Sequence, residues 1–262
     1  MMPLEVTSSD GAKLAVWRSG SGPGLILVHG TTADHTRWAQ VAARFERQFT
    51  VYAMDRRGRG GSGDADTYSI SQEGEDVVTV AEAVAGPVNL LGHSYGALCC
   101  VEAALELPGL HRLVLYEPPL PLGPEIVSPE VRETLDRLIE QDEREAALLT
   151  FFREVVRLPE PQLEVMRTQP AWAGRLAAAH TITREIRLEA EYRPDLERLR
   201  TIATPSLLLL GGDSPAYFGE ATRQLNSVLS NSRIHEMPGQ QHVAMDTIPD
   251  EFVQIVASFI LS

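Results

Sequence analysis

Four short apolar runs set the frame for the rest of this chain. Residues 25–29, 50–54, 88–91 and 113–116 are almost unbroken in apolar side chains. A strand with one wet face alternates apolar and polar residues, whereas a strand covered on both faces does not. Such runs therefore belong inside a parallel sheet. Helical stretches at 36–47, 72–84 and 95–107 separate them. This alternation predicts βαβ units with right-handed crossovers. Two further strand-like stretches, 3–7 and 14–19, precede the first run. The expected class is α/β, a mostly parallel central sheet with helices on both faces.

The alternation stops after Tyr116. Residues 118–195 open with Pro118, Pro119, Pro121, Pro124 and Pro129, then continue as charged amphipathic stretches at 130–140, 143–157, 162–167 and 175–193. None reads as strand. About four short helices are predicted there, forming a helical cap (118–195) on a core of 1–117 and 196–262. The sheet pattern resumes at 206–210 and 232–237, with helices at 218–229 and 249–261.

With 262 residues, 44% of them hydrophobic, the chain can bury a sizeable core. Its net charge of −13 repels phosphate backbones and anionic headgroups, so neither nucleic acid nor membrane is an expected partner. A small-molecule substrate is. Residues 1–7 lack the basic-then-apolar pattern of a signal peptide. Cys99 and Cys100 are adjacent, and neighbours rarely pair without strain. They read as reduced core residues, and a cytoplasmic setting is the default expectation.

One motif carries chemistry. Gly92-His93-Ser94-Tyr95-Gly96 follows an apolar strand and precedes a good helix former. Strand, tight turn and helix form the geometry that lifts a nucleophilic serine clear of a sheet. The glycines Gly92 and Gly96 permit the sharp turn, and His93 is a structural neighbour. A serine hydroxyl needs a base. His242 qualifies, because it lies just past the last strand and before the last helix. Oxyanion donors are expected from the Thr31 and Tyr95 amides. Gly30 allows close approach there, and His29 holds the loop.

Taken together, these pieces resemble the α/β-hydrolase fold family of esterase, C–C hydrolase and haloperoxidase type. The resemblance rests on four segments in the family's order. They are His29-Gly30 with Trp38 downstream, Asp55-Arg56-Arg57-Gly58-Arg59-Gly60-Gly61-Ser62, Gly92-His93-Ser94-Tyr95-Gly96, and Gly239-Gln240-Gln241-His242. It implies an enzyme without cofactor, and no metal-ligand cluster or phosphate-binding fingerprint argues otherwise. The Asp55–Ser62 segment reads as structural, with Asp55 and Arg57 holding a turn. Serine rather than aspartate at position 94 argues against dehalogenases and epoxide hydrolases.

The triad acid has two candidates. Asp213 lies at the family's commonest location, in Gly211-Gly212-Asp213-Ser214, but one residue early; the usual register falls on Ser214. Glu117 follows the preceding sheet strand, a position some family members use. Register favours Glu117, with Asp213 left open. The expected reaction is hydrolysis of a small ester, thioester or lactone through an acyl-enzyme. The alternatives are C–C hydrolysis or perhydrolysis with the same triad, and a ligand-binding member without catalysis.

Overall fold

A computed structural model describes residues 2–65, 67–121 and 126–262; Pro124 lies outside them. Eight strands form one sheet in the order β1-β2-β4-β3-β5-β6-β7-β8. They are β1 (Met2–Thr7), β2 (Lys13–Gly20), β3 (Gly24–Val28), β4 (Thr50–Met54), β5 (Val88–His93), β6 (Leu110–Tyr116), β7 (Ser206–Gly211) and β8 (Ser232–Met237). Only the β1–β2 and β2–β4 pairings are antiparallel. Every residue of β3, β4 and β7 is buried, as their unbroken apolar sequences require.

Helices cover both faces. On one side α2 (Ile70–Glu82), α3 (Tyr95–Glu106) and α10 (Ala216–Val228) pack through Val77, Val80, Leu98, Val101 and Leu225. On the other, α1 (Ala39–Phe45) and α12 (Pro249–Ile260) pack through Val41, Phe45, Phe252 and Val256. Residues 36–47, read as one helix, begin instead with a tighter 3-10 turn, His35–Trp38. The Asp34 carboxylate accepts from the Thr36 amide at 2.8 Å and caps that turn.

Within 118–195 the described residues form α4 (Pro129–Glu140), α5 (Arg144–Thr150), α6 (Glu160–Arg167), α7 (Trp172–Ala178) and α8 (Ile182–Glu191). A single π-turn, Phe151–Val155, follows α5. These are five α-helices rather than about four, because a 3-10 turn at Ala179–Thr181 divides the 175–193 stretch. The short α9 (Leu196–Arg200) and α11 (Ala244–Thr247) complete the set. The insertion has its own apolar cluster around Leu135, Leu148, Phe152, Leu163, Trp172 and Ile182, which Val243 joins from the core. No helix among the described residues is long and apolar enough to cross a membrane.

The turn after β4 is built on charge. Arg57 grips Asp76 with two hydrogen bonds, at 2.7 and 2.8 Å, and reaches Asp10 at 2.8 Å. Arg56 and Arg59 are fully buried against Glu73 of α2 and Glu185 of α8. Buried arginines held in this way are structural. Asp55 accepts from the His35 amide at 2.7 Å, the Gly61 amide at 2.9 Å and the Trp17 indole at 3.0 Å. It thereby joins β2, the turn, and the segment that follows β3.

Burial pushes the Asp55 carboxyl up, but hydrogen bonds from His35, Gly61 and Trp17 outweigh it and hold the group at about 2. The folded value lies below the unfolded value of 3.8. The stabilisation is therefore complete above the unfolded value and is lost as pH falls through about 2, with a size of about 2 kcal/mol. Urea unfolding of wild type and Asp55→Asn should give a stability gap that narrows between pH 4 and pH 2. A gap constant with pH would contradict this role. Trp172, packed on Phe152, should cost about 3 kcal/mol when replaced by alanine. A loss under about 1 kcal/mol in the same assay would remove Trp172 from the insertion's core.

Candidate active site

Ser94 sits between β5 and α3 with φ 55° and ψ −129°. A non-glycine residue adopts that backbone only when its surroundings enforce it. Here the Ser94 amide donates to the Tyr116 carbonyl at 2.9 Å, and the Ser94 carbonyl accepts from the Ala97 amide at 2.8 Å. Glycines make the turn fit. A Cβ on Gly92 would lie 2.6 Å from the Ala97 Cα, and one on Gly96 would collide with the carbonyl oxygens of Val28 and His29. Gly30 matters in the same way, because a Cβ there would stand 2.9 Å from the Ser94 Cβ.

That close approach places the loop after β3 against Ser94. The Thr31 and Tyr95 amides have no hydrogen-bond partner among the described residues. Thr31, Ser94 and His242 line one cavity. His29 is buried below the loop, its Nδ1–H donating to the Gly30 carbonyl at 2.9 Å and its Nε2 accepting from the Arg56 amide at 3.1 Å. Burial, then the Arg56 and Arg59 charges, push this ring down to about 3. It is a neutral structural group.

His242 is buried in the segment between β8 and α11. Its Nδ1–H donates to the Glu117 carboxylate at 2.5 Å. The other Glu117 oxygen accepts from the Gly211 amide at 2.7 Å and the Ser214 hydroxyl at 2.6 Å. Glu117 is fully buried, and three donors saturate it. Asp213 is exposed, does not line the Ser94 cavity and is not brought to His242. The register position of the usual acid, Ser214, is at the site, and it donates its hydroxyl to Glu117.

Phe218 and Tyr116, both beside the site, escaped sequence reading, whereas His93 was expected there as a structural neighbour. Phe218 stacks on the His242 ring, with centroids 4.4 Å apart and 14° between planes. His93 donates from Nε2 to the His242 carbonyl at 2.9 Å. Burial pushes the His93 ring well below the ordinary histidine range, so it too is neutral. The Tyr116 hydroxyl accepts from the Ala244 amide at 3.0 Å and donates to the Gln241 carbonyl, bracketing His242 on both sides. The only advance signal for Tyr116 was its place beside Glu117.

The insertion supplies the opposite wall, through Phe151, Phe152, Val156, Leu158, Met166 and Arg175. The space between these walls is about 30 Å³, room for about two water molecules. Asp34, His35 and Asp55 bring three metal-type donors close together. Their contacts are accounted for by hydrogen bonds, since Asp34 caps Thr36 and Asp55 binds the His35 amide and ring.

Comparison with known proteins agrees with this architecture. A family model described as the alpha/beta hydrolase family matches residues 25–255. N-formylmaleamate deformylase of Pseudomonas putida is 41% identical over 105 residues, 38% of this chain and 39% of that protein. 2-(Acetamidomethylene)succinate hydrolase of Mesorhizobium japonicum is 26% identical across 94% of this chain and 91% of its own. The crystal structure of an alpha/beta hydrolase from Sphaerobacter thermophilus matches with a TM-score of 0.85 at 32% identity, covering 98% of this chain and 99% of that one. The strained serine turn, the parallel sheet and these likenesses converge: the chain belongs to the alpha/beta hydrolase family.

Proposed function

We propose that this hydrolase cleaves small acyl compounds through an acyl-enzyme on Ser94, with His242 as base and Glu117 as the triad acid. One observation carries the reading. The His242 Nδ1–H is held by a buried carboxylate at 2.5 Å, and the ring shares a narrow cavity with Ser94. With its proton fixed on Nδ1, the ring keeps Nε2 free to accept the serine proton. Ser94 Oγ then attacks the substrate carbonyl carbon. The developing oxyanion is received by the Thr31 and Tyr95 amides. His242 returns the proton to the leaving group, and a water repeats the sequence to release the acid.

Two relatives' names widen the substrate range. N-formylmaleamate deformylase and 2-(acetamidomethylene)succinate hydrolase are named for compounds with a formyl or acetyl group on nitrogen. Amides therefore join esters, thioesters and lactones as bonds to test. Residues 118–195 act as the cap in this reading. A cavity of about 30 Å³ admits an acyl substrate only when that wall moves.

The test is covalent and mutational. A fluorophosphonate should label Ser94 and nothing else, and Ser94→Ala should abolish both labelling and turnover of nitrophenyl esters. Turnover surviving in Ser94→Ala would end the proposal. Glu117→Gln should lower kcat by up to about 10⁴, whereas Asp213→Asn should stay within about threefold of wild type. The reverse ranking, in variants that melt like wild type, would move the acid to Asp213.

A further inference from the structure

Arg175 is the one arginine in the wall of the Ser94 cavity without an ion-pair partner among the described residues. It lies on α7 and is buried, with 6% of its surface exposed. A guanidinium carries five N–H donors. Among the described residues Arg175 makes one hydrogen bond, from Nη1 to the Thr32 hydroxyl at 3.0 Å, and rests over the Phe152 ring at 5.4 Å. Buried charges are ordinarily paired, because an unpaired one forfeits its hydration without return. The turn after β4 follows that rule, with carboxylates on Arg56, Arg57 and Arg59. Arg175 departs from it.

Its surroundings add to the imbalance. Arg37 lines the same cavity and is paired with Asp246 at 2.8 Å. Burial, then the Arg37 charge, push the Arg175 guanidinium down to about 10. Two guanidinium groups thus line the cavity and, among the described residues, no carboxylate does, the nearest carboxylates, Asp246 and Asp34, lying behind its wall. An anion entering here relieves the strain on Arg175 and uses donors that are otherwise idle.

We propose that Arg175 is a carboxylate-binding residue, and that the substrates of Ser94 are short acyl compounds bearing a free carboxylate near the scissile carbonyl. This rests on Ser94 acting as the nucleophile. Proximity follows from connectivity. Arg175 bonds Thr32, the neighbour of the proposed oxyanion donor Thr31, and lines the same cavity as Thr31 and Ser94. A planar guanidinium favours a carboxylate through paired N–H···O bonds, and Phe152 beneath it keeps the plane in place. The remaining wall, Phe151, Val156, Leu158 and Met166, is apolar and fits a short carbon chain.

The experiment compares two nitrophenyl esters of one length, the neutral butyrate and the anionic succinate half-ester. Wild type should prefer the succinate half-ester by about tenfold or more in kcat/KM. Free succinate should inhibit butyrate hydrolysis competitively. Arg175→Gln should lower the anionic-over-neutral ratio by about 100-fold, mainly through KM, and Arg175→Lys should recover part of it. An equal loss on both esters would overturn the proposal, because Arg175 would then serve the oxyanion or the fold. So would a wild-type preference for the butyrate ester. Fluorophosphonate labelling separates the two readings. A protein unlabelled at Ser94 fails as a serine hydrolase, whereas a labelled one indifferent to the carboxylate fails only the Arg175 assignment.

Discussion

Three residues in left-handed backbone hold this site together. Thr32, Ser94 and Glu117 have φ of 62°, 55° and 47°. They follow β3, β5 and β6, which are consecutive neighbours in the sheet. In a strand, side chains point alternately to the two faces and none points along the chain. A left-handed residue at the strand's end breaks that alternation and turns its side chain across the sheet's carboxyl edge, where open α/β sheets build their sites. L-residues adopt this backbone at a cost, so the surrounding structure must enforce it. The enforcement is visible at Ser94, where Gly92 and Gly96 let α3 press against β3 and β5.

The Glu117 and His242 pair depends on the same device. From the end of β6, the Glu117 carboxylate reaches in two directions. One oxygen ties down the end of β7 through Gly211 and Ser214, and the other meets His242. Tyr116, the residue before, fixes the backbone on either side of His242. The last residue of β6 and the one after it therefore set the position of a loop more than a hundred residues away in sequence. A buried carboxylate held by three donors has little freedom to move.

The sheet was legible because burial on both faces leaves a mark in sequence, an unbroken apolar run. The serine turn was legible because its glycines have no substitute where a Cβ meets backbone. Less was legible where packing rather than local pattern decides. The 175–193 stretch has helical character throughout, yet the tight turn at Ala179–Thr181 divides it. The choice between Glu117 and Asp213 turned on one residue of loop register, and local pattern could not show that Ser214 donates to Glu117 while Asp213 stays exposed. Arg175 left no mark at all. It lies in a charged amphipathic region where arginines normally face water, and only the folded insertion buries it beside Ser94. Phe218 was similarly hidden, since an aromatic in a helix reads as core wherever its ring stacks.

The two arginine groups after β4 divide the work of holding the insertion. Arg57 looks inward, to Asp76 and Asp10. Arg56 and Arg59 look outward, meeting Glu185 of α8 together with Glu73 of α2. Parting α8 from the core would take Glu185 from both guanidinium groups and leave them Glu73 alone, a change opposed by the cost of breaking a buried ion-pair network. The α8 side of the insertion is therefore fixed. Arg175, bonded to Thr32 on the neighbouring α7, stands on that fixed side. The apolar wall made by Phe151, Val156, Leu158 and Met166 has no such charged anchor to the turn. It contains the π-turn at Phe151–Val155 and the left-handed Arg157, with φ 56°. A π-turn is an irregularity common at functional sites. The π-turn and the left-handed Arg157 thus fall in the apolar wall, whereas the buried ion pairs fall on α8.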